Sequence, residues 1–247
     1  MALFLTVVLI TTQTVEISLR YQVMVFLGAS TMFLSIFALW GELSGIKYFL
    51  LLFLPVYFVM GSTLFYFLLP VRWLTRLPFA LVFGISVYLL MLTSNIYNVA
   101  AIRTIGLLRA AHAVGLLFSL VSIFFLANVL FSFHLPFYLT VPILVVLTFP
   151  LYLVGLWSFE LAEYVSQRVL LYAGIFSLLT AQIVLVLSFW PIMPINRALV
   201  VSTIMYVLLG LSQFEFAEKL KRRIVYEHVI VASIVAVIVF ITTRWGG

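Results

Sequence analysis

The sequence predicts an all-α fold, a polytopic transmembrane helical bundle of about eight spans, on three observations. Of its 247 residues, 66% are hydrophobic and only 8% charged, where a soluble domain carries about 25% charged residues. Runs of roughly 20 apolar residues recur along the whole length, each enough to cross a ~30 Å hydrocarbon core. Continuous runs such as Phe49 to Val56 lack the apolar–polar alternation of a membrane barrel. A helix, by contrast, satisfies its own backbone groups in lipid. No soluble domain is left over, because the longest polar stretch, Gln213 to His228, is too short to fold alone.

The elements follow in order. Residues 1–21 form an N-terminal apolar segment. Its run at 1–11 is short for a span and lacks the basic flank of a signal peptide, so it is expected to be partial or partly inserted. The bundle occupies 22–247, with spans expected at 22–40, 48–69, 78–97, 105–131, 136–156, 169–190, 197–212 and 228–243. Pro70, Pro78, Pro136, Pro191 and Pro194 are placed at tight turns on one side, since proline ends a helix by removing a donor. Trp40, Trp73, Trp157, Trp190 and Trp245 fall near span ends, as an interfacial belt requires.

Lys and Arg in the loops set the orientation. Lys47, Arg103, Arg109, Arg168, Lys219, Lys221, Arg222 and Arg223 share one side, expected to be cytoplasmic. Arg20, Arg72, Arg76, Arg197 and Arg244 fall on the other. The net charge of +6 resides in these loops and helix ends. It favours anionic lipid headgroups over nucleic acid.

The two loops around 160 and 215 match each other. Phe159-Glu160-Leu161-Ala162-Glu163 followed by Arg168 parallels Phe214-Glu215-Phe216-Ala217-Glu218 followed by Arg223, 55 residues on. Ser132-Phe133-His134 and Ser188-Phe189-Trp190 repeat at an offset of 56. The expectation is a duplicated helical hairpin, with interfacial helix extensions carrying Glu215–Lys219 and Glu218–Arg222 pairs. The plain reading of this rim is a solvated edge that keeps the spans from sinking into lipid. The functional reading makes Glu160, Glu163, Arg168, Glu215, Glu218 and Arg223 a partner surface.

Polar residues inside spans are costly in lipid and mark candidate sites. Arg109 lies about 9 Å along a helix from Arg103, with His112 one turn deeper, then Gly115, Ser119 and Ser122 on the same stripe. Gly84, Tyr88, Met91, Asn95 and Asn98 form a stripe on the third span, and Thr203, Tyr206, Gly210 and Gln213 one on the seventh. Arg109, His112, Asn95 and Asn98 are therefore the candidate ligand or lipid-binding residues. Arg109 is expected to point inward, toward Asn95, Asn98 or the glutamates near 160, and the alternative is snorkelling to the interface.

Familiar chemistries find no footing. There is no Cys and no Asp, which removes thiolate catalysis, an aspartyl dyad and an Asp-held magnesium site. His112 and His228 alone make a poor haem or metal site, and no metal or cofactor is expected. Ser177 has no His placed to activate it. The strings AIRTIGLLRAAHAVG at 101–115, LSFWP at 187–191 and YVLLGLSQ at 206–213 together resemble a group of uncharacterised multi-spanning bacterial membrane proteins. That resemblance implies a bacterial cytoplasmic membrane location and no activity. Three functional readings remain. The first is a non-catalytic protein binding a partner protein or lipid within the bilayer. The second is a carrier using the polar stripes of spans three, four and seven. The third is an intramembrane lipid enzyme with Arg109 on an anionic headgroup.

Overall fold

The structure of the chain is a computed structural model, and it describes residues 1–12, 19–38, 47–70, 72–100, 106–162 and 164–243. Among these residues it contains helices and no strands. The helices are α1 (Ala2–Thr11), α2 (Arg20–Ala38), α3 (Lys47–Leu68), α4 (Trp73–Ala100), α5 (Leu108–Ser132), α6 (Phe137–Glu160), α7 (Gln167–Ser188), α8 (Pro194–Phe216) and α9 (Arg222–Thr242). Seven of them, α3 to α9, are long and apolar enough to cross a membrane, and Gln22–Ala38 is a shorter apolar helix. The chain is an integral, multi-pass membrane protein.

Helix boundaries depart from expectation at informative places. α4 starts at Trp73, not near 78, so Pro78 lies inside the helix, as do Pro55, Pro142 and Pro150 elsewhere. A proline inside a span is tolerated because neighbouring groups satisfy the freed carbonyl in lipid. α5 starts at Leu108, later than the expected 105, which changes the position of Arg109. The N-terminal apolar segment forms the ten-residue α1, which packs on α4 with Leu5 and Leu9 fully buried.

The chain divides into two compact units, Met1–Phe118 and Ser119–Gly247. In the first, α2 and α3 pair as a hairpin, and α4 packs on both α3 and α1. Phe58 is its aromatic centre, stacked on Phe83 at 6.0 Å and edge-on to Phe118 at 5.2 Å. Gly84 lets α1 approach, since a methyl there would meet the Thr6 hydroxyl at 2.5 Å.

In the second unit, α6 and α7 form the tightest pair, α8 packs on both, and α9 packs on α8. Tyr152 and Trp157 of α6 are buried. The Tyr152 hydroxyl meets Thr180 Oγ1 of α7 at 2.8 Å. α9 is the outlier, with only His228 and Val239 buried. Most other mid-span hydroxyls close on their own helix: Thr31, Thr63, Thr93, Thr148, Ser177, Thr203 and Ser212 each donate to a carbonyl four residues back. Such back-bonding removes an orphan donor from hydrocarbon.

Candidate functional site

The stripe on α5 faces protein as expected. Gly115 is buried, Ser119 is 2% exposed and Ser122 is fully buried. The reason for Gly115 is local: Tyr97 of α4 lies against it and donates its hydroxyl to the Ala111 carbonyl at 2.9 Å. The Tyr97 ring also meets the His112 ring at 5.6 Å. His112 is thereby a packing partner of Tyr97 at the α4–α5 contact.

Arg109 contradicts its expectation. Because α5 starts at Leu108, Arg109 sits in the first turn, where it is exposed and bonds no described residue of its unit. A guanidinium at a helix end reaches water or headgroups directly, so no internal partner is demanded. Arg103 lies outside the described residues. The α4 stripe is corrected as well. Tyr88 is 62% exposed and Asn95 is exposed, while Asn98 is 2% exposed. The buried face of α4 instead carries Ala80, Phe83, Val87, Leu90, Ser94 and Tyr97. Of the four candidate ligand residues, Asn98 and His112 thus face protein, and Asn95 and Arg109 face outward.

The α8 stripe packs against α9. Tyr206 stacks on His228 at 4.7 Å with planes 14° apart. His228 Nδ1 donates to the Ile224 carbonyl at 2.8 Å, and its Nε2 edge presses on Gly210. Glycine is required there to admit the ring.

On the rim, the matched loops of the second unit meet. Arg168 Nη2 donates to Glu215 Oε1 at 3.3 Å, and the Tyr172 hydroxyl donates to the same oxygen at 3.2 Å. The Arg168 guanidinium also lies 4.5 Å from the Phe216 ring centre. The pair is about half exposed, so it contributes no more than ~1 kcal/mol. The expected interfacial helix extension does not form. α8 stops at Phe216, Glu218 takes a left-handed φ of 55°, and Lys219 N donates to the Phe214 carbonyl. This is a Schellman stop. It breaks the helical spacing that Glu215–Lys219 and Glu218–Arg222 pairs need. Glu215 turns to Arg168 instead, and Arg223 pairs with Glu227 at 3.0 Å. Glu160 ends α6 half-buried, with Leu161 left-handed after it. Glu163 lies outside the described residues.

Sequence reasoning used Arg20, Arg76 and Arg197 only for orientation, and their surroundings carry more. Arg76 is 4% exposed, lies 5.1 Å from the Tyr66 ring centre, and reaches the Leu69 carbonyl at 3.4 Å. Arg197 reaches the Trp190 carbonyl at 3.0 Å. Each arginine bonds a carbonyl seven residues back, where the preceding helix ends and its dipole is negative. Arg20 lies 5.4 Å from the Phe67 ring centre. The signal available in sequence was an arginine in the first turn of a span just after a Pro-containing turn.

Two apolar grooves flank α8 and α9. One, of about 340 Å³, is lined by Leu179 and Ile183 of α7, Val200, Ile204 and Val207 of α8, and Ala232, Val235 and Ala236 of α9, among others. The other, of about 410 Å³, includes Leu120, Phe124, Ser202, Tyr206 and Val231. Among the described residues no group of three or more His or Glu could hold a metal. Comparison with family models, curated proteins and solved structures finds no match to the chain.

Proposed function

We propose that the protein is a non-catalytic lipid-binding protein of the membrane, taking an acyl chain into the groove between α7, α8 and α9. The observation that carries this reading is the groove's lining. Its walls come from the central turns of three membrane-crossing helices, at the depth of the hydrocarbon core, and are aliphatic apart from Thr203. The Thr203 hydroxyl is already given to the Leu199 carbonyl at 2.8 Å. A polar substrate would find no donor there, whereas an acyl chain needs none.

Other expectations enter this reading. A carrier drawing on the α4 stripe loses support from the outward Tyr88 and Asn95. A lipid enzyme built on Arg109 loses support from its exposed position in the first turn of α5. The duplicated hairpin draws support from helix lengths, 24 and 22 residues for α6 and α7 against 23 and 21 for α8 and α9. The run Lys219 to Arg223 is exposed and suits an anionic leaflet or an acidic partner. A bacterial cytoplasmic membrane, with this rim inward, is the matching location.

The test is native mass spectrometry of the gently extracted full chain. Ala236→Trp fills the groove and should reduce the co-purifying lipid. An unchanged lipid complement in a folded Ala236→Trp protein would refute the groove as a lipid site.

A further inference from the structure

A second cavity, of about 190 Å³, lies in the second unit where α5 and α7 end and α6 and α8 begin. Its polar lining is Arg197, His134, Ser188 and Thr140, set among Phe131, Phe137 and Phe189. We propose that this cavity binds a phosphate-type oxyanion, either the phosphate of a lipid headgroup or free phosphate.

Charge comes first. Arg197 spends Nη2 on the Trp190 carbonyl at 3.0 Å, and its Nε is buried without a partner. No carboxylate among the described residues lines the cavity. Among the described residues of the unit none can reach it. Glu160 closes α6, Glu215 and Glu218 bracket the end of α8, and Glu227 lies near the start of α9. All four belong to the opposite ends of these helices. A half-buried guanidinium with an idle Nε and no counter-charge among the described residues calls for an anion.

The rest of the wall agrees. α6 and α8 both begin here, and a helix start carries positive partial charge. The Ser188 and Thr140 hydroxyls are turned back onto the Val184 and Pro136 carbonyls, so they have no proton to give an anion, and its donors must come from Arg197 and the helix starts. His134, exposed in a left-handed turn with φ 50°, gives Nδ1 to the Ser132 carbonyl at 2.9 Å. Helix ends mark the headgroup level of a bilayer. That level is where lipid phosphate resides, and the ring of phenylalanines suits the adjoining glycerol and upper chain. Arg76, the matching arginine of the first unit, is packed against Tyr66 at 4% exposure, and serves there as a structural counterpart.

This site is separate from the acyl groove, and Ala236→Trp should leave it intact. Three variants probe it in the full chain. Ser188→Leu fills the cavity and keeps the Arg197–Trp190 bond. His134→Asn removes the imidazole and tolerates the left-handed turn. Arg197→Gln removes the charge. Two probes are used. Inorganic phosphate against chloride at matched ionic strength is read by thermal midpoint in lipid-free detergent. Nanodiscs of mixed phosphatidylglycerol and phosphatidylcholine are read by native mass spectrometry of retained lipid. Phosphate protection of the native chain, weakened at least about tenfold in apparent affinity by Ser188→Leu, supports a site for free oxyanion. Retention of phosphatidylglycerol alone, lost in the same variant, supports a headgroup site. If Arg197→Gln fails to fold, Ser188→Leu and His134→Asn decide the matter. Equal responses to both probes in the native chain and in the folded variants would overturn the proposal, even where Ala236→Trp strips lipid from the groove.

Discussion

Gly210→Ala is expected to loosen α9 from the bundle. α9 buries only His228 and Val239, so its N-terminal half depends on the seat that α8 offers His228. That ring cannot retreat. Its Nδ1 is bonded to Ile224 at 2.8 Å, Tyr206 covers one face at 4.7 Å, and Phe214 lies edge-on at 6.2 Å. A methyl on Gly210 would fall inside van der Waals contact of the ring's Nε2 edge. Overpacking of this kind costs about 1–3 kcal/mol, offset by about 1 kcal/mol from the better helix propensity of alanine. The net expectation is a loss of about 1 kcal/mol. His228→Ala alone forfeits the ring contacts, worth about 0.5–1.5 kcal/mol. In the double variant the methyl has space, so the overpacking cost should vanish while the propensity gain persists, and the two losses should fall short of additive by about 2 kcal/mol. The assay is reversible unfolding in mixed detergent micelles for all four proteins. A Gly210→Ala chain as stable as the native one, or strict additivity in the cycle, would refute this account of the α8–α9 contact.

Two further outcomes test other parts of the structure. Tyr152→Phe deletes the buried bond to Thr180, but Thr180 Oγ1 still donates to the Phe176 carbonyl at 2.8 Å. The same unfolding assay should therefore register only about 0.6 kcal/mol, and a loss above about 2 kcal/mol would show that the α6–α7 seam rests on that hydroxyl. For orientation, Tyr164 and Phe189 are exposed at opposite ends of α7, and the chain has no native Cys. An impermeant thiol reagent applied to intact cells should label Phe189→Cys and spare Tyr164→Cys, and the reverse pattern would invert the protein in the membrane.

The candidate residues show where helix-wheel reasoning works in a membrane and where it fails. Gly115, Ser119 and Ser122 were legible as a protein-facing stripe because small and hydroxyl residues have no use against lipid. The α4 stripe failed on the same helix pair. It joined Gly84 and Asn98, which do face protein, through Tyr88 and Asn95, which do not. The face that packs is instead marked by Phe83, Val87, Leu90 and Tyr97, side chains as apolar as those that meet lipid at Leu81, Val82 and Ile85. Polarity then cannot tell the inner side from the outer, because acyl chains and a protein core are nearly the same solvent. Arg109 failed for a different reason. A shift of three residues in the start of α5 moved it from the depth of the span to its first turn, and a helix start in an apolar run carries little local signal.

Composition and run length alone determined the class of this protein, because only a lipid-facing helical bundle can hold so apolar a chain with its backbone satisfied. The same features set the positions of the seven membrane-crossing helices and the shorter α2 to within about six residues and placed the charged rim at their ends. What only the tertiary structure decided was which polar groups are left with work to do. It spent His112 and His228 on tyrosine rings at the α4–α5 and α8–α9 contacts. It turned Glu215 away from Lys219 to Arg168 through a left-handed residue at Glu218. It left Arg197, which looked like any loop-flanking base, with one buried nitrogen idle and its side chain lining a cavity that has no carboxylate among the described residues. The physical reason is that the pairing of a charge depends on which helix ends converge, and convergence is set by close packing among chemically similar surfaces, which no local pattern encodes.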